Sequence, residues 1–321
     1  MIRVPEKLAA EILQYAHKLD KMSQGGEVNE PAEHYWTAED VEMTKPVNVA
    51  SVPQRSPFRY PGGKTWLVPY IRSWLTSKKP PLGILVEPFA GGGIVGLTAG
   101  FERLAGHVVL VEHDANVAAV WQTILGGQSK WLAERILDFH MDRQSVEAVL
   151  GNEALTQRER AFAVILRNRV QRGGIMAPGA GLVKTGENGR GIQSRWYPET
   201  LSRRIREIAA VGGRFTFIEG DGIEVIRRYA DDETAAFFVD PPYTVAARRL
   251  YPHWQVDHRA LFGLLREVKG DVLLTYDNTR EITALARELG FDITAVTPRA
   301  GKEAKLNKLL IGKNLSNWMK S

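Results

Sequence analysis

From Ile84 onward the apolar positions fall into short blocks separated by longer amphipathic stretches. The blocks Ile84–Phe89, His107–Val111, Phe215–Ile218, Ala236–Val239, Asp271–Thr275, Phe291–Val296 and Leu306–Ile311 read as strands. Between them Ile94–Leu104, Ala115–Leu125 and residues 223–230, 257–268 and 280–289 repeat their apolar residues at helical spacing. Strands alternating with helices imply an α/β fold with a doubly wound, mostly parallel sheet. Such a sheet binds ligands at the carboxyl ends of its strands, near the point where strand order reverses. The rhythm breaks over 127–213, which is helix-rich and then runs through a glycine-rich loop at 173–191. That stretch reads as an insertion. Ahead of the alternating region, residues 1–21 read as a short strand (Ile2 to Val4) and a helix with Leu8, Ile12, Leu13, Ala16 and Leu19 on one face. This opening suits an arm or a partner-docking element. Residues 22–55, with Gly25, Gly26, Pro31, Pro46 and Pro53, read as a linker. The expected organisation is an extension and linker at 1–55, a main domain from 56–126 and 214–321, and the insertion at 127–213.

Composition narrows the class. At 44% hydrophobic and 25% charged, the 321 residues have an ordinary globular make-up. No run approaches the ~18 uninterrupted apolar residues of a membrane helix. Arg3, Glu6 and Lys7 stand where a signal peptide would be apolar, so a cytoplasmic protein is expected. Cysteine is absent, which excludes disulfides, thiolate metal sites and thiol nucleophiles. The 7 histidines are scattered without an HExxH pattern, and no metal is expected.

The net charge of +5 is unevenly spread. Residues 1–47 hold 5 Lys and Arg against 9 Asp and Glu, whereas 157–206 hold 11 against 3 and include Trp196 and Tyr197. A charge run is often only a solvated helix face. Here the basic residues cross several elements and an irregular loop, which favours a polyanion-binding surface with phosphates as partner.

Five places along the chain carry candidate chemistry. Glu87-Pro-Phe-Ala-Gly-Gly-Gly93 ends the first strong strand and opens a helix, where glycines let backbone approach a ligand closely. Glu112 ends the next strand, where a carboxylate can accept hydrogen bonds from both hydroxyls of a ribose; His113 and Asp114 beside it leave the choice of acid open. Arg59-Tyr-Pro-Gly-Gly-Lys-Thr65 is not a Walker A loop, since Phe58 replaces its first glycine and no clear strand precedes it. Its glycines and lysine, just ahead of a helix, suit a ligand carboxylate. In Phe237-Phe-Val-Asp-Pro-Pro-Tyr243 an apolar strand delivers Asp240 at its tip, and Pro241 and Pro242 stiffen the turn. Asp240 and the Pro241 carbonyl can both accept from an exocyclic amino group, and Tyr243 offers a face for a base. Asp221, after the third strand, suits either an adenine amino group or a helix N-cap.

With these residues in line, the chain from about residue 56 onward resembles the Dam-type N6-adenine DNA methyltransferases, which bind S-adenosylmethionine. The resemblance rests on Phe58-Arg-Tyr-Pro-Gly-Gly-Lys64, Glu87-Pro-Phe-Ala-Gly-Gly-Gly93, Glu112, Asp221, Asp240-Pro-Pro-Tyr243 and Leu274-Thr-Tyr-Asp-Asn278, in that order. It implies a Rossmann-like methyltransferase sheet with a reversed C-terminal strand and a target-recognition insertion at 127–213. It also implies a cofactor set of Tyr60, Gly62, Gly63, Lys64, Glu87, Phe89, Gly91, Gly93, Glu112, Asp221 and Asp240, with Glu112 on the ribose. The catalytic set would be Asp240, Pro241, Pro242 and Tyr243. Double-stranded DNA would lie against Arg59, Arg167, Asn168, Arg169, Gln171 and Arg172.

Two departures from the family bear on specificity. The ribose acid is Glu112 where the family more often has Asp, and the segment Arg167–Gly174 keeps only an Asn-Arg start. A flipped adenine is expected because an amino group cannot reach the cofactor inside the base stack. The lack of cysteine excludes C5-cytosine methylation, which proceeds through a thiolate adduct. The rivals are N4-cytosine transfer, where Ser more often stands at position 240, protein-amide methylation, where Asn does, and a DNA-binding protein without catalysis. A restriction endonuclease or another partner would dock through residues 1–55.

Overall fold

The protein is described from a computed structural model covering residues 52–59, 63–79, 81–174, 181–242, 256–296 and 308–319. The expected strand and helix at 1–21, most of the linker, Tyr60, Gly62, Tyr243 and Leu306 lie outside these residues. Seven strands form among them: β1 (Ile84–Glu87), β2 (His107–Glu112), β3 (Phe215–Glu219), β4 (Ala235–Val239), β5 (Asp271–Asp277), β6 (Asp292–Val296) and β7 (Lys308–Gly312). They make one sheet in the order β3-β2-β1-β4-β5-β7-β6. Only β7 runs against its neighbours, pairing antiparallel with both β5 and β6. The fold is therefore the doubly wound, mostly parallel α/β sheet with a reversed C-terminal strand.

Parallel strands are covered on both faces, which is why they show as near-continuous apolar runs. All five residues of β4 are buried. Successive side chains on a strand alternate faces. Leu85, Leu110 and Phe238 thus join one core, and Val86, Val109, Val111, Phe237 and Val239 join the other.

Element ends depart from the sequence expectation for local reasons. β1 stops at Glu87 because Pro88 has no N–H to give the ladder. The helix α2 (Ile94–Glu102), which follows α1 (Val68–Thr76), closes two residues early because Arg103 takes a left-handed cap at φ 55°. β5 runs two residues further, since β7 pairs as far as Asp277↔Lys308. The helix α3 spans Ala115–Thr123, and its N-cap Asp114 accepts from the Asn116 N–H.

The insertion contributes α4 (Ser129–Leu137), α5 (Arg143–Leu150), α6 (Gln157–Val170) and α7 (Pro198–Ala210). A capping box between Thr156 and Glu159 starts α6. α6 packs on α3 and α7 on α4. Phe162, Leu166, Leu132 and Ile205 share a core with Trp121 and Leu110 of the sheet region. After β3 come α8 (Gly222–Arg228), α9 (His258–Glu267), α10 (Arg280–Glu288) and α11 (Ser316–Met319). Among the described residues no helix is long and apolar enough to cross a membrane.

Phe237 is fully buried in the middle strand. Phe237→Ala removes that ring and leaves a cavity, and should cost ~3–5 kcal/mol in denaturant unfolding. A cost below ~1 kcal/mol would contradict this packing.

Candidate active site

The order of the sheet reverses between β1 and β4, the two strands at its centre. A crevice at the carboxyl ends belongs there by topology alone. Glu87 ends β1 and Asp240 follows the last residue of β4.

The turn after β1 is built for close approach. Gly91 and Gly93 sit at φ 47° and 61°, where a side chain is strained. A Cβ on Gly93 would also stand 2.9 Å from the Trp121 ring. That ring, from α3, donates its Nε1–H to the Gly91 carbonyl at 3.0 Å. From the other side the Ser56 hydroxyl donates to the Gly92 carbonyl at 2.6 Å. Phe89 on this turn stays partly exposed.

Glu112, at the end of β2, leans over the same turn. One carboxylate oxygen accepts from the Gly91 N–H and the other from the Asp114 N–H, each at 2.9 Å. Enclosure pushes its carboxyl up to about 7; these N–H donors oppose the rise and the Asp114 charge adds to it. Asp114 itself caps α3, which leaves Glu112 as the acid facing the glycine turn. Asp221 caps α8, accepting from the Ile223 N–H at 2.8 Å, and remains exposed. Both readings of Asp221 stay compatible with this placement. Gly222 beside it lies so close to the β1 turn that a Cβ would collide with the Pro88 carbonyl.

At the tip of β4 both oxygens of Asp240 are engaged. Lys64 Nζ lies 2.5 Å from one, and the Thr275 hydroxyl of β5 donates to the other at 2.6 Å. Gly63, the exposed N-cap of the short turn Lys64–Leu67, delivers the lysine. Glu87 is buried, accepts from the Gly96 N–H at 2.7 Å, and is pushed up to about 8 by burial. The Gly96 N–H and Lys64 oppose that shift, and the Asp240 charge reinforces it. At neutral pH Glu87 therefore holds its proton. Pro241 is buried and Pro242 partly exposed in the turn that follows.

The insertion reaches this site in an unexpected way. Asn168 is 0% exposed; its amide oxygen accepts from the Arg59 N–H at 2.8 Å, and its amide nitrogen donates to the carbonyls of Arg59 and Gly174 at 2.9 and 3.0 Å. Arg169, 6% exposed, donates to the Pro57 carbonyl at 2.7 Å. Asn168 and Arg169, both expected against DNA, instead turn inward and hold residues 57–59. Of the other DNA candidates, Arg59 and Arg172 are exposed, and Arg167 and Gln171 are partly exposed.

Four site residues escaped the sequence reading. Trp121 and Ser56 grip the glycine turn, Thr275 grips Asp240, and Arg204 of α7 donates to the Ser56 carbonyl at 3.3 Å. Only Thr275 carried a signal, since it stands within Leu274-Thr-Tyr-Asp-Asn278.

Two pH responses follow. For the ribose contact expected of Glu112, the ionised carboxylate is a stronger acceptor than the protonated acid. S-adenosylmethionine affinity should therefore climb up to tenfold per pH unit below about 7 and level off above it. Calorimetry should also show a loss of ~1–3 kcal/mol in Glu112→Ala. A flat pH profile would move the ribose contact to another residue. Glu87, raised from 4.5 to about 8, stays protonated in the fold over a range where the unfolded chain ionises. Its contribution is thus full below 4.5 and lost as pH rises through 8. Glu87→Gln keeps an acceptor for Gly96 without that loss, so its melting temperature should gain on wild type as pH rises. Parallel curves would refute a neutral Glu87.

Residues 60–137 match the family model for D12 class N6 adenine-specific DNA methyltransferases. No curated protein matches the chain. Among solved structures, an S-adenosylmethionine-dependent methyltransferase from Agrobacterium tumefaciens is similar at 13% identity and a TM-score of 0.37, over 78% of this chain and 61% of that one. This chain thus spans less than two thirds of that protein's length. A Pyrococcus horikoshii protein assigned as an RNA methyltransferase is similar at 13% identity and a TM-score of 0.34, over 85% of this chain and 92% of its own. Residues 60–137 are therefore similar to the D12 class N6 adenine-specific DNA methyltransferase domain.

Proposed function

We propose that the protein methylates N6 of an adenine turned out of double-stranded DNA. The observation that carries this reading is Asp240, held at the carboxyl end of β4 between Lys64 and Thr275 and next to the central crevice. S-adenosylmethionine supplies an electrophilic methyl group when bound. Every other part of the chemistry belongs to the chain. The fit of the cofactor rests on the glycine turn at 91–93, which admits close approach, and on Glu112, a carboxylate that accepts backbone N–H groups of this turn and of Asp114 and can also accept from hydroxyls. Tyr60, Gly62, Gly63, Phe89 and Asp221 complete the proposed cofactor set, with Lys64 and Glu87 beneath it.

Asp240 and the Pro241 carbonyl are the acceptors for the two hydrogens of an exocyclic amine. Accepting both fixes the amine's plane and directs its lone pair, so positioning is the main source of rate. Pro242 stiffens the turn, and Tyr243 supplies a stacking face for the extruded base. An aspartate suits this task because it is acceptor-only when ionised.

Transfer of a labelled methyl group from S-adenosylmethionine to duplex DNA tests the reading. Wild type should label adenine N6, and Asp240→Ala should abolish transfer. Tyr243→Ala should lower turnover, with Tyr243→Phe or Tyr243→Trp restoring part of it. Full activity in Asp240→Ala, or label on cytosine, would overturn the assignment.

A further inference from the structure

Asp240 stands beside Thr275 because of strand register. β4 and β5 pair in parallel with Val239 opposite Leu274, so the next residue on each chain comes side by side at the carboxyl edge. Thr275 is 0% exposed, and its hydroxyl donates to one Asp240 oxygen at 2.6 Å while Lys64 Nζ lies against the other. These two neighbours differ in stiffness. Lys64 reaches in on a flexible four-carbon stem from a short turn ahead of α1. Thr275 carries a β-branched side chain, stiff at χ1, inside the sheet, with Leu310 of β7 opposite on its other side.

The residues that follow pin β5 at this point. Tyr276, on the opposite face, is buried, with its hydroxyl 2.9 Å from His258 Nδ1 and its ring centroid 5.5 Å from that of Phe262. Asp277, back on the Thr275 face, pairs with Lys308 of β7. The Thr275 hydroxyl is therefore a donor on a fixed frame.

An aspartate alone holds its carboxylate plane poorly, since rotation about χ2 is broad and roughly two-fold. An exocyclic amine whose two hydrogens go to Asp240 and the Pro241 carbonyl has its lone pair aimed only if those acceptors keep one relation to each other. A lysine ammonium is a compact charge whose three donors can follow the carboxylate as it turns. A hydroxyl fixed on a strand does not follow.

We propose that Thr275 is a positioning residue for methyl transfer: its hydroxyl fixes the plane of the Asp240 carboxylate and so holds the target amine in attack geometry. This rests on the proposed N6-adenine reading and adds what orients its central acceptor. In this role Thr275 acts through Asp240 and touches neither base nor cofactor. Its loss slows transfer and leaves cofactor affinity alone.

Single-turnover methyl transfer to duplex DNA, with S-adenosylmethionine affinity measured by calorimetry, tests this role. Thr275→Val keeps the branching and removes the donor; its rate at saturating substrates should fall about 10- to 100-fold, with cofactor affinity unchanged. Thr275→Ser keeps a donor and should recover most of the rate. Thr294→Val removes another buried threonine hydroxyl, on β6 across Leu310, and should transfer at the wild-type rate. Thermal melts establish folding. Should Thr275→Val fail to fold, Thr275→Cys decides in its place, because its thiol is a weak donor and its rate should fall clearly below that of Thr275→Ser. Wild-type transfer in folded Thr275→Val, or Thr275→Ser as slow as Thr275→Val, would overturn the positioning role. A loss of cofactor affinity matching the loss of rate would overturn it too, by placing Thr275 on the cofactor side. A wild-type protein that leaves adenine N6 unlabelled would instead overturn the function reading.

Discussion

The contact between Lys64 and Asp240 governs the electrostatics of the centre of this protein. The Lys64 side chain is only 8% exposed and that of Asp240 only 22% exposed, so neither charge is well hydrated. Each is tolerable because the other is there. Coulomb attraction at such a distance exceeds anything a surface pair achieves, and removing one partner strands the other. A third ionisable group, Glu87, sits close enough to feel both. Burial is what keeps the proton on Glu87, and the Asp240 charge reinforces it. The result is a single anion at the tip of β4, fixed in place, with its neighbour on β1 neutral. A second negative charge there would compete with Asp240 for Lys64.

That pair also sets a requirement on the chain. Asp240 can meet Lys64 only if the segment ahead of α1 is laid across the carboxyl ends of β1 and β4. The sheet does not hold that segment by strand pairing. Ser56 fastens it to the glycine turn, and Asn168, Arg169 and Arg204 fasten it to α6 and α7. The insertion is therefore part of what shapes the cofactor side. Its polar groups replace ladder hydrogen bonds for a stretch of backbone that would otherwise be orphaned. Gly174 belongs to the same arrangement: it accepts from Asn168, sits at φ 74°, and comes so close to Arg59 that a Cβ would strike its carbonyl.

How much of this the sequence reveals depends on the physical signal each part leaves. The strands are legible because burial on two faces writes apolar runs, and Asp240 is legible because a proline-stopped strand places it at a tip. Glu112 is legible by its position at the end of β2. Its competitor Asp114 is resolved only in three dimensions, by an N-cap hydrogen bond. Asn168 and Arg169 misled because charge and polarity along a helix normally mark its wet face. α6 is covered on most sides, with Ala161 through Leu166 all buried, so its polar residues are also drawn in. Nothing local in Arg167-Asn-Arg-Val170 distinguishes a side chain that holds its own backbone from one that reads a base. Ser56 and Trp121 left no signal either, since each acts on a turn remote from it in sequence.

The inward turn of Asn168 and Arg169 changes how recognition and chemistry are connected. If polar residues of α6 contacted bases directly, DNA affinity and cofactor affinity could vary separately. Held as they are, residues 56–59 have one side fixed by the insertion and the other fixed to Gly92, and they run into Lys64 within a few residues. Were duplex DNA and cofactor both to act on that segment, linkage would make their coupling reciprocal. Fixing the segment on both sides is why so much hydrogen bonding is invested in four residues that carry no chemistry of their own.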